Sequence, residues 1–415
     1  MKAKIYELYI DKFAGTLSGL TSRLDYFTHL GINTLHLLPH YPSPMVDDGY
    51  DISDFRGVRK ELGTVDDFIE CVRTAHEKGI NVIVDMVLNH VSDQHPWFIE
   101  ARASRDNPKR DYFVWSETGG ELRGAPNPFI DFKESNWIWN EVTKDYYYAT
   151  FYPQQPDLNW ENPRVLEEML TIFDLWVERG IDGFRLDAIP HLIEKEGTSS
   201  LGLPETHAII KKIRAHLDST HSGRILLLAE AVMQPHGAHM YFGDGDECQM
   251  VYHFALTEQL FVATLFGDVS GLKRITQDEW NLPAGCAWGI FLRNHDNVVL
   301  GWDSTEQRDR LLSRLDPEGL YGFSKSTSTS VRLGTVFAEQ QEKLLEAFQL
   351  MYSLPGVPIM YYGDEIGMKN LPHDVSVTDS RRYVRGPFDW SIADSMLKDK
   401  NSLLYKVAAI IRHHD

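Results

Sequence analysis

From Ile5 onward the chain alternates short runs of β-branched and aliphatic residues with longer segments whose apolar positions recur at helical spacing. That alternation is the mark of repeated strand–helix units. Eight runs stand out: IYELYID (5–11), NTLHLLP (33–39), NVIVDMV (81–87), GFRLDAI (183–189), RILLLAEA (224–231), MVYHF (250–254), WGIFLRN (288–294) and VPIMYYG (357–363). Runs this apolar suit a parallel sheet covered by helices. Eight of them predict an α/β protein, a (β/α)8 TIM barrel closed on itself, rather than an open sheet with two edges to protect.

The intervening segments carry helix punctuation. Thr64 with Asp67 forms a capping-box pattern, Val65, Phe68, Ile69 and Val72 lie on one stripe, and Gly79 is placed to stop the helix. Asn162 can cap and Pro163 can take the first helical position, after which Val165, Met169, Phe173, Trp176 and Val177 form a buried face ending at Gly180. A closing helix is expected from about Ser402 to His413.

Residues 91–160 break the rhythm, being rich in Trp, Tyr, Pro, Asn and Asp with no sustained period. We read them as a subdomain inserted after the third strand, over the face where barrels place their chemistry, with 1–90 and 161–415 forming the barrel. A second long connection, 301–335, includes GFSKSTSTS (322–330), which suits a lid or a disordered surface loop about equally.

Composition narrows the function classes. A net charge of −19 over 415 residues repels phosphate backbones and anionic membranes, which argues against a nucleic-acid partner. No stretch has the apolar length of a membrane span, so no membrane role is expected. The three cysteines, Cys71, Cys248 and Cys286, are scattered and in no CxxC pair, which fits a reducing, cytoplasmic location.

Four strand ends hand polar residues to the following loops: Asp85 to His90, Arg185 to Asp187, Glu230, and Arg293 to Asp296. In a barrel the acids Asp187, Glu230 and Asp296 converge on one mouth, and their proton affinities are driven apart there. Glycoside hydrolysis by double displacement needs one carboxylate to attack the sugar and another, protonated, to release the leaving oxygen. Arg185 lies two residues before Asp187, on the same side of the strand, and can keep that carboxylate ionised. Metal catalysis competes poorly, since the chain has no HExxH pair. An isolated Asp at a strand end is more often a cap than a catalyst; several in register invert those odds.

At these residues the sequence resembles the α-amylase family of glycoside hydrolases (family 13). DMVLNH (85–90), GFRLDAIPH (183–191), the Glu of LLLAEA (226–231) and FLRNHD (291–296) are similar to its four ordered motifs, and QPDLNW (155–160) to a fifth. The resemblance implies Asp187 as nucleophile, Glu230 as general acid/base and Asp296 as the third acid that stabilises the transition state, with Arg185, His90 and His295 binding around them. DDGYDISDF (47–55) and RRYVRGPFDW (381–390) imply that Tyr50 stacks under a terminal glucosyl unit and that Asp47 and Arg385 clamp its 4-hydroxyl.

SDQHPWF (92–98), EKEGTS (194–199), LPETHA (203–208) and YYGDEIGM (361–368) resemble the family's trehalose synthase branch most. The implied reaction is isomerisation of maltose to trehalose with some hydrolysis; an α-glucosidase or a transglucosylase on small α-glucosides is the alternative, and a non-catalytic barrel scaffold a distant third. The implied partner is a small α-glucoside. The same resemblance implies a structural Ca²⁺ held by Asn89, Asp157, Glu194 and the carbonyls of His191 and Leu192, with no organic cofactor. His191 stands where that branch tends to have an aromatic. The C-terminal β domain usual in the family is expected to be absent, the chain stopping after the eighth helix, and a homo-oligomer is a possibility that this leaves open. Trp97 and Trp115 are expected to form the insertion's own core rather than sugar platforms.

Overall fold

Eight parallel strands close on one another in a computed structural model that describes residues 2–338 and 340–414. They are β1 (Ile5–Leu8), β2 (Thr34–Leu37), β3 (Asn81–Val87), β4 (Gly183–Asp187), β5 (Leu226–Ala229), β6 (Met250–Tyr252), β7 (Ala287–Ile290) and β8 (Val357–Tyr361). The eight strands coincide with the eight apolar runs. Each pairs with its sequence neighbours and β8 returns to β1, so no edge is left open.

Register decides which polar residues meet inside the barrel. Glu7 of β1 is level with His36 of β2, and Asp85 of β3 is level with Arg185 of β4. Side chains alternate along a strand, so these polar residues share a layer of the interior. The side chains of Glu7, His36, Asp85 and Arg185 are all at most 1% exposed.

The helices begin where their caps say. Thr64 and Asp67 make a reciprocal capping box at the start of Val65–Glu77. Asn162 caps Pro163–Glu178, whose Val165, Met169, Phe173, Trp176 and Val177 are all buried. Ser402 caps the last helix, Leu403–His413.

Between β3 and Pro163–Glu178 the chain forms a helix, Pro96–Ala103, and a three-stranded antiparallel sheet of Trp115–Ser116, Trp137–Asn140 and Asp145–Tyr148. Trp97 packs against Tyr112, and Trp115 lies near Phe98 and Tyr147, all within this segment. The 301–335 connection is built of a helix, Thr305–Leu315, and a small hairpin of Gly322–Phe323 with Ser328–Thr329. Phe323 of that hairpin packs with Phe129 and Tyr152 of the inserted segment. At its tip Ser324, Lys325 and Ser326 all adopt positive φ, and both carboxylate oxygens of Asp131 accept from the Lys325 N–H, at 3.0 and 3.1 Å.

Among the described residues no helix is long and apolar enough to cross a membrane, and Cys71, Cys248 and Cys286 are free thiols.

Candidate active site

One cavity of about 370 Å³ opens at the C-terminal ends of the strands, and its wall includes Asp47, Tyr50, His90, Asp187, Glu230 and Asp296. Arg185, His295 and Arg385 are buried behind that wall, where they hold the lining residues. The hairpin and the inserted segment roof the cavity with Phe323, Phe129 and Phe151.

Asp187 ends β4 and Glu230 follows β5, and one guanidinium joins them. Arg185 contacts Asp187 through Nη1 and lies 2.6 Å from Glu230 Oε1 through Nη2. Its Nη1 is also 2.6 Å from Asp85. The residue after Asp187 turns sharply: Ala188 has φ 47° and ψ 32°, and from that left-handed conformation its N–H donates to Glu230 Oε2 at 3.0 Å. Such a backbone in a non-glycine residue is uncommon and gathers at functional turns.

The acids do not titrate alike. Burial raises the proton affinity of Asp187, which Arg185 opposes and the neighbouring Glu230 reinforces, leaving it well above the carboxylate range. Burial likewise raises Glu230 against the pull of Arg185. Asp296 goes the other way: burial raises it, but His295, Arg381 and Arg385 outweigh that and hold it well below its ordinary value. The separation expected within the acid set therefore falls between Asp296 and the Asp187–Glu230 pair, and Arg185 alone does not depress Asp187. Two carboxyls sharing one cation titrate as a unit.

Tyr50 lies parallel to His295, with centroids 5.2 Å apart and 8° between planes, and its hydroxyl is 2.7 Å from His295 Nε2. His295 rises to about 9, since Asp296 and Glu7 more than offset its burial. His90 is held neutral, pushed down to about 3 by burial, and its Nε2 has no hydrogen-bond partner among the described residues.

The clamp on Asp47 differs from the expectation. Arg385 approaches Asp47 only to 3.8 Å; its short contacts are to Asp48, at 2.8 Å, and Asp296, at 2.7 Å. The close partner of Asp47 is Arg381, at 2.7 Å, which also reaches Asp296 at 3.3 Å and alone of the two arginines lines the cavity. The reason is local. A 3₁₀ turn, Ser380–Val384, carries Arg381 inward and ends just before Arg385, and Asp379, hydrogen-bonded to Arg381 at 2.7 Å, aims its guanidinium at Asp47. Gln155 of the inserted segment donates to the other Asp47 oxygen at 3.1 Å. Three arginines within five positions gave no means of choosing among them.

Asn89, Asp157 and Glu194 meet in a buried cluster to one side of this cavity. Asp157 accepts from Thr150 N at 3.0 Å and is hydrogen-bonded to both Asn89 and Glu194. Burial raises Asp157 to about 6 and Glu194 well above its ordinary value. Asn89 Oδ1 and Glu194 Oε1 are buried with no hydrogen-bond partner among the described residues. Two adjacent buried carboxyls with orphaned hard oxygen atoms fit a divalent cation such as Ca²⁺. Lys133, buried nearby, spends its ammonium on Asn136 and the Ala149 carbonyl. Among the described residues no group of three or more His, Cys, Asp or Glu is arranged to hold a metal, so any ion would rely on amide and carbonyl oxygens as well.

The sequence profile of the alpha amylase catalytic domain matches residues 7–314. A trehalose synthase/amylase of Mycolicibacterium smegmatis is 41% identical over 94% of this chain and 66% of its own length. A trehalose synthase of Thermus thermophilus is 39% identical over 94% of this chain and 40% of its own. The chain thus spans just under two thirds of the length of the mycobacterial relative. Among solved structures, the trehalulose synthase of Pseudomonas mesoacidophila superposes with a TM-score of 0.80 at 24% identity, over the whole of this chain and 84% of that one, a likeness of fold.

Proposed function

Because the chain belongs to the α-amylase family of glycoside hydrolases, we propose that it is a retaining α-glucosyl-transferring enzyme that isomerises maltose to trehalose, with some hydrolysis. The observation that carries the reading is the pairing of Asp187 and Glu230 on two arms of Arg185 at the wall of one cavity.

The terminal glucosyl ring of maltose lies on Tyr50, its outer hydroxyls held by Asp47 and Arg381. The pair Asp187–Glu230 carries one proton, and it resides on Glu230. Protonation there removes the Glu230 charge that reinforces the effect of burial on Asp187, and Arg185 then opposes burial in holding the Asp187 carboxylate. Asp187 then attacks the anomeric carbon while Glu230 passes its proton to the glycosidic oxygen, which breaks the bond to the second glucose and forms a glucosyl-enzyme ester. Asp296 and its arginines stabilise the positive charge that grows on the ring.

Released glucose stays under the roof of Phe129, Phe151 and Phe323, turns, and returns through its own anomeric hydroxyl. Glu230, now a base, takes that proton, and the new 1,1-linkage forms as the ester bond to Asp187 breaks and the carboxylate leaves, with the original configuration restored. Water reaching the ester first yields two glucose molecules. Exclusion of water by the roof therefore sets the ratio of transfer to hydrolysis.

The inserted segment 91–160 acts as a subdomain over the site. Asn89, Asp157 and Glu194, with the carbonyls of His191 and Leu192, would hold Ca²⁺, whose charge would neutralise the buried carboxyl pair. The protein works in the cytoplasm on small α-glucosides.

Incubation of the protein with maltose, and separately with sucrose, followed by NMR of the anomeric protons, tests the reading. Trehalose appearing from maltose ahead of glucose supports it. Glucose alone makes the protein an α-glucosidase, and inertness toward both substrates removes the enzymatic account.

A further inference from the structure

Beneath the cavity, inside the barrel, runs a line of buried charges that extends past the groups touching substrate. It starts at Arg185, whose Nη1 is 2.6 Å from Asp85 Oδ1. Asp85 Oδ2 is 2.8 Å from His36 Nε2, and His36 Nδ1 is 3.2 Å from Glu7 Oε2. Glu7 Oε1 accepts from both the backbone N–H and the Nδ1 of His295, each at 3.0 Å. His295 Nε2 lies 3.1 Å from Asp296 Oδ2. From Asp296 the line ends on Arg385 and Arg381, at 2.7 and 3.3 Å. The signs alternate along its whole length once both histidines are cations.

The carboxylates on either side of each ring favour that state. A neutral imidazole has one N–H and one lone pair, so a neutral His36 would aim that lone pair at a carboxylate oxygen with no water to separate them. Nε2 of His36 is hydrogen-bonded to Asp85 and Nδ1 lies 3.2 Å from Glu7 without an aligned hydrogen bond, and the side chain is 0% exposed. His295 presents Nδ1 to Glu7, while its Nε2 lies 2.7 Å from the Tyr50 hydroxyl and 3.1 Å from Asp296. Tyr50 closes the line into a ring: its hydroxyl is 2.7 Å from His295 Nε2 and 3.4 Å from Asp85 Oδ2, and with His295 protonated its oxygen accepts from Nε2–H and its own proton serves Asp85. Tyr252 donates at 3.1 Å to Glu7 Oε2, the oxygen that also faces His36. Burial lowers the affinity of His36 for its second proton, but Asp85 and Glu7 more than offset this and leave it raised.

We infer that His36 is a positioning residue of the glucosyl site. As a buried imidazolium between Glu7 and Asp85 it couples the half of the site held by Arg185, with Asp187 and Glu230, to the half held by His295, with Asp296 and Tyr50. It touches no substrate. The barrel register makes the coupling direct, since Glu7 is level with His36 and Asp85 with Arg185. Without the imidazolium two carboxylates would face each other across a dry gap, and the strain would be relieved by swinging Asp85 off Arg185 or Glu7 off His295. Either movement displaces one member of the acid set relative to the others.

The charge state and the coupling are tested separately, and only the second rests on the glucosyl-transfer reading. Neutron diffraction from the wild-type protein at pH 7 should find deuterons on both ring nitrogens of His36; a single deuteron overturns the inference whatever the enzyme does. Kinetics on a chromogenic α-glucoside should then show His36→Gln losing on the order of 10- to 100-fold in kcat with KM changed less than about threefold, because binding groups remain while their alignment is lost. His36→Phe, which offers neither carboxylate a donor, should lose more. A His36→Gln variant with wild-type kcat overturns the coupling. Should both variants fail to fold, the neutron result on the wild type decides. Should the wild type turn over no α-glucoside, it is the proposed function that fails, and the neutron result still decides the charge state.

Discussion

Ala188 donates its backbone N–H to Oε2 of Glu230 at 3.0 Å, so the turn that ends the strand of one acid fixes the other. Glu230→Gln keeps an acceptor for that bond and loses only the transferable proton. The variant should melt with the wild type and lose about 10³-fold or more in kcat on maltose, but much less on p-nitrophenyl α-glucoside, whose leaving group needs little protonation. Asp187→Asn should lose comparably on both substrates. Equal losses of Glu230→Gln on the two substrates would remove Glu230 as the acid.

Arg381 rather than Arg385 presents its guanidinium to the cavity, beside Asp47. Arg381→Lys keeps the charge and loses the fork that serves Asp47, Asp379 and Asp296 together. KM for maltose should rise about 10-fold or more. Arg385→Lys, whose contacts are to Asp48, Asp296 and the His295 carbonyl, should act mainly on kcat. Steady-state kinetics of the two variants side by side distinguishes the roles.

His295 has its affinity raised from 6.5 to about 9 by Asp296 and Glu7, which outweigh burial. A raised value means that folding favours the protonated form. That contribution, about 3 kcal/mol, is fully present below about pH 6.5 and is lost as pH rises through about 9. Thermal melts from pH 6 to 10 should show Tm falling most steeply between about pH 7 and 9. His295→Gln should melt lower at pH 6 and flatten that slope.

The hairpin tip, with Ser324, Lys325 and Ser326 all at positive φ, is held by Asp131 across from it. Three consecutive non-glycine residues in that region cost of order 1 kcal/mol each, so the Asp131 contact supports a conformation that the tip would not otherwise favour. Asp131→Ala should loosen the roof without touching the acids. The expected outcome is a several-fold rise in glucose relative to trehalose from maltose, with total turnover near that of the wild type. An unchanged product ratio would separate the hairpin from water exclusion.

A divalent ion among Asn89, Asp157 and Glu194 predicts that exhaustive chelation lowers Tm by several degrees and that added Ca²⁺ restores it. Glu194→Gln should abolish the response, because a neutral amide cannot replace the carboxylate charge toward a hard cation.

The barrel was legible because its signals are local. Each strand is a short apolar run, and caps such as Thr64 with Asp67 need only a few neighbouring residues to be read. The positions of Asp187, Glu230 and Asp296 were legible too, since a polar residue ending a buried strand of a barrel has one direction to go.

Tertiary structure decided the rest. Glu7 and His36 sit within strands that read as ordinary core, and only closure of the barrel makes their level pairing an ion pair beneath the site. Arg381 and Arg385 look alike in sequence, and the choice between them was made by a 3₁₀ turn and by Asp379. Proton affinities were the least legible of all. They depend on burial and on charges brought together from strands far apart in the chain, and no pattern along the sequence carries the distance between two side chains.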